Sequence, residues 1–131
     1  MGRSKLINIL GQVMLYVNNQ DESLQFWTEK AGFTLLSKED TGEGMKWFVV
    51  APTNDAQTSI VLHNKELVAK MSPGVNLETP SLMFFSENID KLYNDFLEKN
   101  ITVGEIVKMP GGRVFNFADN EENYFAVMEK K

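Results

Sequence analysis

Cysteine is missing from all 131 residues. Its absence excludes disulfides, thiolate nucleophiles and Cys-ligated zinc or iron–sulfur centres, and accords with a reducing, cytoplasmic setting. Histidine occurs once, as His63, so one chain cannot build a His pair or a His-rich metal site. Basic residues are in the minority: 13 Lys and Arg against 18 Asp and Glu give a formal charge of −5. No basic stripe is available to neutralise phosphates, which argues against nucleic acid and anionic membranes as partners. Long apolar runs are also lacking. No window approaches the roughly 20 residues of a membrane span, and Met1 to Leu10, with Arg3 and Lys5, has no apolar stretch of signal-peptide length. A soluble, unprocessed chain is expected. What is present is ordinary: 43% hydrophobic and 24% charged residues suit one globular domain able to bury a core.

The run Leu10 to Val17 is rich in β-formers and meets the polar cluster Asn18-Asn19-Gln20-Asp21, which reads as a strand feeding a helix. Asn19 is a candidate cap with Glu22 reaching back to it; Leu24, Trp27 and Ala31 then follow at helical spacing, and Gly32 is the expected C-cap. Three strands are predicted next, over Phe33 to Glu39, Met45 to Ala51 and Thr58 to His63. After a connector at 67–79 the pattern recurs. Ser81 to Phe85 is a strand, Asn88 precedes a helix whose apolar face holds Ile89, Leu92, Phe96 and Leu97, and Asn100 stands where Gly32 stood. Ile101 to Val107, Arg113 to Phe117 and Tyr124 to Met128 are the last strands, and Pro110-Gly111-Gly112 reads as a tight hairpin turn, since no Lys-Ser or Lys-Thr follows to make a phosphate loop. Val13 aligns with Leu82 at a shift of 69 residues and Leu24 with Leu92 at a shift of 68. Two copies of one unit, about 8–66 and 80–130, are expected to pair over a common core.

The order of elements and three local words resemble the vicinal oxygen chelate superfamily, which contains glyoxalase I, bleomycin-resistance proteins, fosfomycin-resistance enzymes and extradiol dioxygenases. The words are VMLYVNNQDESLQFWTEKAGF (Val13 to Phe33), SENIDKLYNDFLEKNI (Ser86 to Ile101) and RVFNFADNEENYF (Arg113 to Phe125). The resemblance implies an α+β fold of two βαβββ modules forming a cupped mixed sheet, often completed by a second copy. It does not imply one function, because the superfamily includes isomerases, transferases, dioxygenases and plain binders.

Members that are enzymes place His, Gln or Glu near the start of the first strand and the middle of the last strand of each module, around a divalent ion. By the resemblance these positions fall here at Gln12, at Ile60 or Val61, at Ser81 and at Ala126. One neutral amide cannot hold such an ion, so the metal site is read as absent and no cofactor is expected.

Period-two alternation puts Gln12, Met14 and Tyr16 on one face of the first strand, and Ser81, Met83 and Phe85 repeat them in the second module. Thioethers, rings and two short polar handles suit a small planar or amphipathic ligand. A buried Gln12 would need partners. His63 shares the cup side if Val61 is the cup position and faces away in the other register. Among Trp47, Phe48, Phe115, Phe117 and Tyr124 at least half should be ordinary core; Trp47, Phe115 and Tyr124 are kept as ligand candidates, and Arg113 as an anion contact at the cup mouth. The acids Glu22, Glu29, Glu87, Asp90, Asp95 and Glu98 fall mostly on solvent faces of helices, which argues against paired-carboxylate catalysis.

Three functions follow. The first is a metal-independent homodimer binding an amphipathic or aromatic molecule. The alternative is a glyoxalase-like metal-dependent lyase or isomerase acting on a small oxygenated substrate, which alone would call for a divalent metal. The third is a protein-interaction module, for which an exposed Trp27 would be the only hint.

Overall fold

In the computed structural model, which describes residues 6–130, the first module runs β1 (Gln12–Val17), α1 (Gln20–Gln25) continued by a π-helical turn (Phe26–Lys30), β2 (Thr34–Asp40), β3 (Lys46–Ala51) and β4 (Ser59–Asn64). Helix α2 (Lys65–Met71) leads to β5 (Met83–Ser86), α3 (Ile89–Glu98), β6 (Val107–Met109), β7 (Gly112–Ala118) and β8 (Tyr124–Glu129). Arg3 and Lys5 lie outside the described residues.

Asparagine starts every α-helix. The side chains of Asn19, Asn64 and Asn88 accept from the backbone N–H groups of Glu22, Leu67 and Lys91 respectively, each satisfying a donor that has no partner within its own helix. The left-handed residues after the first and third helices are Gly32 (φ 82°) and Asn100 (φ 60°), as the alignment of the two halves predicts.

Each module folds into a four-stranded mixed sheet, in the orders β1-β4-β3-β2 and β5-β8-β7-β6. The first strand of each runs parallel to its last, with Met14 opposite Val61 and Met83 opposite Ala126. Since Met14 and Met83 are equivalent at the 69-residue shift, Val61 rather than Ile60 corresponds to Ala126. The register left open by the sequence is thereby decided, and His63 shares the face of Val61 and Met14.

One face of each sheet packs against the helices. Leu15, Val17, Val50 and Leu62 from the first sheet and Phe115, Phe117, Phe125 and Val127 from the second join Phe26, Trp27, Ile89 and Phe96 in one core. Trp27 is fully buried, with ring centroids of Phe33 at 4.9 Å and Phe125 at 5.3 Å. The first helix therefore packs against the second module's sheet, and the exposed Trp27 that would have hinted at an interaction module is not found.

Two expectations shift. Helix α2 occupies the start of what reads as a bare connector, capped by Asn64 directly at the end of β4. Ile101 to Val107 is not a continuous strand: Ala118 N donates to Thr102 O and Gly104 N to Asn116 O, but the regular ladder resumes only at Val107. The two-residue loop Pro110-Gly111 then closes the β6–β7 hairpin as expected, with Met109 opposite Gly112.

Candidate functional site

The face of the first sheet opposite the core gathers four of the sequence candidates. His63 lies on β4 between Tyr16 of β1 and Trp47 of β3, in register with both. Its imidazole stacks on Tyr16, with centroids 5.7 Å apart and planes 22° from parallel, and stands 6.3 Å from the Trp47 ring. Its Nε2 is 3.1 Å from Met14 Sδ. With the proton on Nε2 the ring donates to the thioether, a weak acceptor, and Nδ1 remains an acceptor. Burial lowers the His63 pKa below its ordinary 6.5, so the ring is neutral at pH 7. All three rings are half-buried. The product is an aromatic surface edged by a thioether.

The corresponding face of the second sheet carries Met83, Phe85 and Tyr124, which are 48%, 63% and 59% exposed. Beside them a recess of about 300 Å³ is lined by Met83, Glu105, Val107, Met109, Val114, Phe115, Asn116 and Met128. Ser81 is exposed and precedes β5.

Other candidates are placed differently. Gln12 is exposed at the start of β1, so the demand of a buried amide does not arise there. It arises at Gln20, which is buried and donates through Nε2 to Lys46 O and Leu62 O at 2.9 and 3.0 Å. Phe115 is 1% exposed and its ring packs on Tyr93 and Phe96 at 5.0 and 6.0 Å; alternation along β7 points that ring at the core, although the residue also borders the recess. Arg113 shares that side. Its guanidinium donates to both oxygens of Asp90 at 3.1 and 3.0 Å and to both of Glu129 at 3.1 and 3.2 Å. Two carboxylates already answer its charge, so it is not an anion contact at a cup mouth.

In the β7–β8 turn, burial acts on Asp119. Desolvation pushes the Asp119 carboxyl above its usual range, while the N–H groups of Glu121 and Asn123 and the Asn123 side chain donate to it at 2.8, 2.9 and 3.1 Å and oppose that rise. This bonding shapes the turn so that Glu121 reaches the first module, where its carboxylate accepts from the N–H groups of Asn18 and Asn19. Because Asn19 N is engaged in this way, Glu22 reaches only the Asn19 side chain, at 2.8 Å. Neither Gln20 nor Glu121 was a sequence candidate.

The donor set does not fit a divalent ion. The four positions that hold metal in the resembling enzymes carry Gln12, Val61, Ser81 and Ala126, of which two are hydrocarbon and two are neutral polar groups. Among the described residues no three His, Asp or Glu side chains come together as a metal site.

Comparison with known proteins agrees with this architecture. The family model of the Glyoxalase/Bleomycin resistance protein/Dioxygenase superfamily matches residues 9–127, and the chain belongs to that superfamily. It is 31% identical to the YetH protein of Bacillus subtilis over 125 residues, covering 95% of this chain and all of YetH. It is 32% identical to YurT of the same organism over 126 residues, covering 88% of this chain and 94% of YurT. The fold is that of TnmS3, an antibiotic binding protein from Streptomyces sp. CB03234, with a TM-score of 0.82 at 23% identity over 98% of this chain and all of TnmS3. No helix among the described residues is long and apolar enough to cross a membrane.

Proposed function

We propose that this protein binds a planar aromatic or amphipathic small molecule, without a metal, on the face formed by Met14, Tyr16, Trp47 and His63, and that the open face of a second copy's second sheet completes the site. The observation that carries the reading is the stacked Tyr16–His63 pair beside Trp47. Preformed rings bind a planar guest with little ordering cost, and a polarisable thioether adapts to its outline. An interior-facing stack alone would serve packing, but these rings are half-exposed and lie opposite the hydrophobic core. The exposed Met83, Phe85 and Tyr124 supply apolar surface of the kind that marks an interface. TnmS3 supports the reading in that its fold serves antibiotic binding there. The missing cysteines suit a cytoplasmic setting.

A thermal-shift screen of aromatic and amphipathic compounds, followed by titration of tryptophan fluorescence, tests the site. A true ligand raises the melting temperature by linkage and changes a tryptophan emission to which Trp47 and Trp27 both contribute, and Tyr16→Ala with His63→Ala reduces its affinity at least tenfold, which assigns the change to this face. A stoichiometric metal in the purified protein that is needed for binding would overturn metal independence. Ligand binding unaffected by both substitutions would overturn the site.

A further inference from the structure

A separate recess of about 190 Å³ lies where the two modules meet, on the helix side of the second sheet. Phe33 and Pro52 of the first module face Phe84, Leu92, Phe96 and Val127 of the second across it. None of its lining side chains is charged or hydrogen-bonding. The recess opens to solvent past the exposed Phe85; since an apolar cavity of about 150 Å³ already admits benzene, it has the size and lining for one ring. Polar groups of a guest directed at the apolar walls would be left unpaired, which favours an uncharged ring. Behind the wall stands Trp27, whose ring centroid is 4.9 Å from Phe33, 6.0 Å from Phe84 and 6.1 Å from Phe117, which also lines the recess. Its Nε1 is the buried side-chain polar atom with no hydrogen-bond partner among the described residues, so the surroundings of this indole are aromatic on several sides and polar on none that bonds it.

We infer that this joint between the modules is a second binding site, for small uncharged molecules of single-ring size. It is distinct from the proposed open-face site, with which it shares Phe85 alone: Met14, Tyr16, Trp47, His63, Met83 and Tyr124 are not among its lining residues. A guest seated there replaces the missing contacts of the Phe and Leu walls and changes the surroundings of Trp27. Phe85, 63% exposed at the unpaired edge of the second sheet, borders the recess.

The test uses benzene as the probe and the full chain with Trp47→Phe, which leaves Trp27 as the single tryptophan and hence a single indole N–H resonance. Benzene should shift that resonance saturably and raise the melting temperature, with the His63 ring resonances unmoved. In the same Trp47→Phe background, Ala31→Phe and Leu92→Phe each put a ring into the recess from a half-buried position; whichever keeps the folded spectrum should lose at least nine-tenths of the saturable shift. The absence of a saturable shift at Trp27, or its persistence in a folded filled variant, would overturn the inference. A benzene response at His63 instead of Trp27 would also overturn it while leaving the open-face reading standing.

Discussion

His63 is a single reporter of its own surroundings, because no other histidine exists in the chain. In an untagged sample its ring resonances should titrate below pH 6.5, the lowering being due to desolvation among its neighbours. The unfolded chain takes up this proton near 6.5, whereas the folded chain resists it, so the unfolded state binds more protons in the interval between. The contribution is therefore complete above pH 6.5 and is lost as the solution is acidified toward the folded pKa. His63→Gln should flatten that part of the stability profile in urea unfolding at stepped pH, and a His63 titration at or above 6.5 would contradict the buried stack. Gln20 is the second residue whose role is specific. Gln20→Ala strips a donor from two carbonyls, that of Leu62 included, and should cost about 1–3 kcal/mol, read from the denaturant midpoint. The face of Met14 and Tyr16 was legible from strand alternation alone. The side taken by His63 was not, because it hinged on a one-residue gap, and Gln20 was invisible because its partners lie 26 and 42 residues away. Arg113 was misread for the same reason: its partners are 23 and 16 residues distant.

Elements were easier to read than contacts because their signals are local. Asparagine caps, the glycine and asparagine at left-handed positions, and the Pro-Gly turn act within four residues of where they stand, and the strands of the first module fall within about two residues of expectation. The errors arose where tertiary hydrogen bonds decide. Thr102 and Gly104 bond to β7 without forming a ladder, so alternation over Ile101 to Val107 signalled partial burial and not a strand. Glu121 joins two elements that the sequence reading kept in separate modules. Its carboxylate receives both Asn18 N and Asn19 N at the start of the first helix, where the positive end of the helix also favours it. Glu121→Ala should lower stability by about 1 kcal/mol and increase amide exchange at Asn18 and Asn19. Glu121→Gln, which keeps a carbonyl acceptor but not the charge, should recover part of the loss. Equal exchange in all three proteins would show that the bridge holds nothing.

At the scale of the molecule, two sheets turn their helix sides toward a common core, and their other faces carry Met14, Tyr16, Trp47 and His63 on one and Met83, Phe85 and Tyr124 on the other. The repeat made this arrangement legible, since a single module cannot bury its sheet face alone, but the sequence did not show what covers the second face. Within one chain Met83, Phe85 and Tyr124 remain about half exposed or more, although water contact with such side chains is unfavourable by roughly 25 cal/mol per Å². A second copy laid with its first sheet over this surface would bury them and enclose the Tyr16–His63–Trp47 platform from above. Met83→Lys tests that arrangement, because the residue is 48% exposed in the chain by itself and a charge there is tolerated by the monomer but not inside an interface. Sedimentation at micromolar concentration should show wild-type dimers and Met83→Lys monomers, with the melting transition of the monomer retained. The affinity for an aromatic ligand should fall at least tenfold in the same variant, since one wall of the site is removed. A wild-type monomer, or a Met83→Lys protein that still dimerises and binds as before, would mean that the site is confined to one chain and that these exposed residues answer to something other than a second copy.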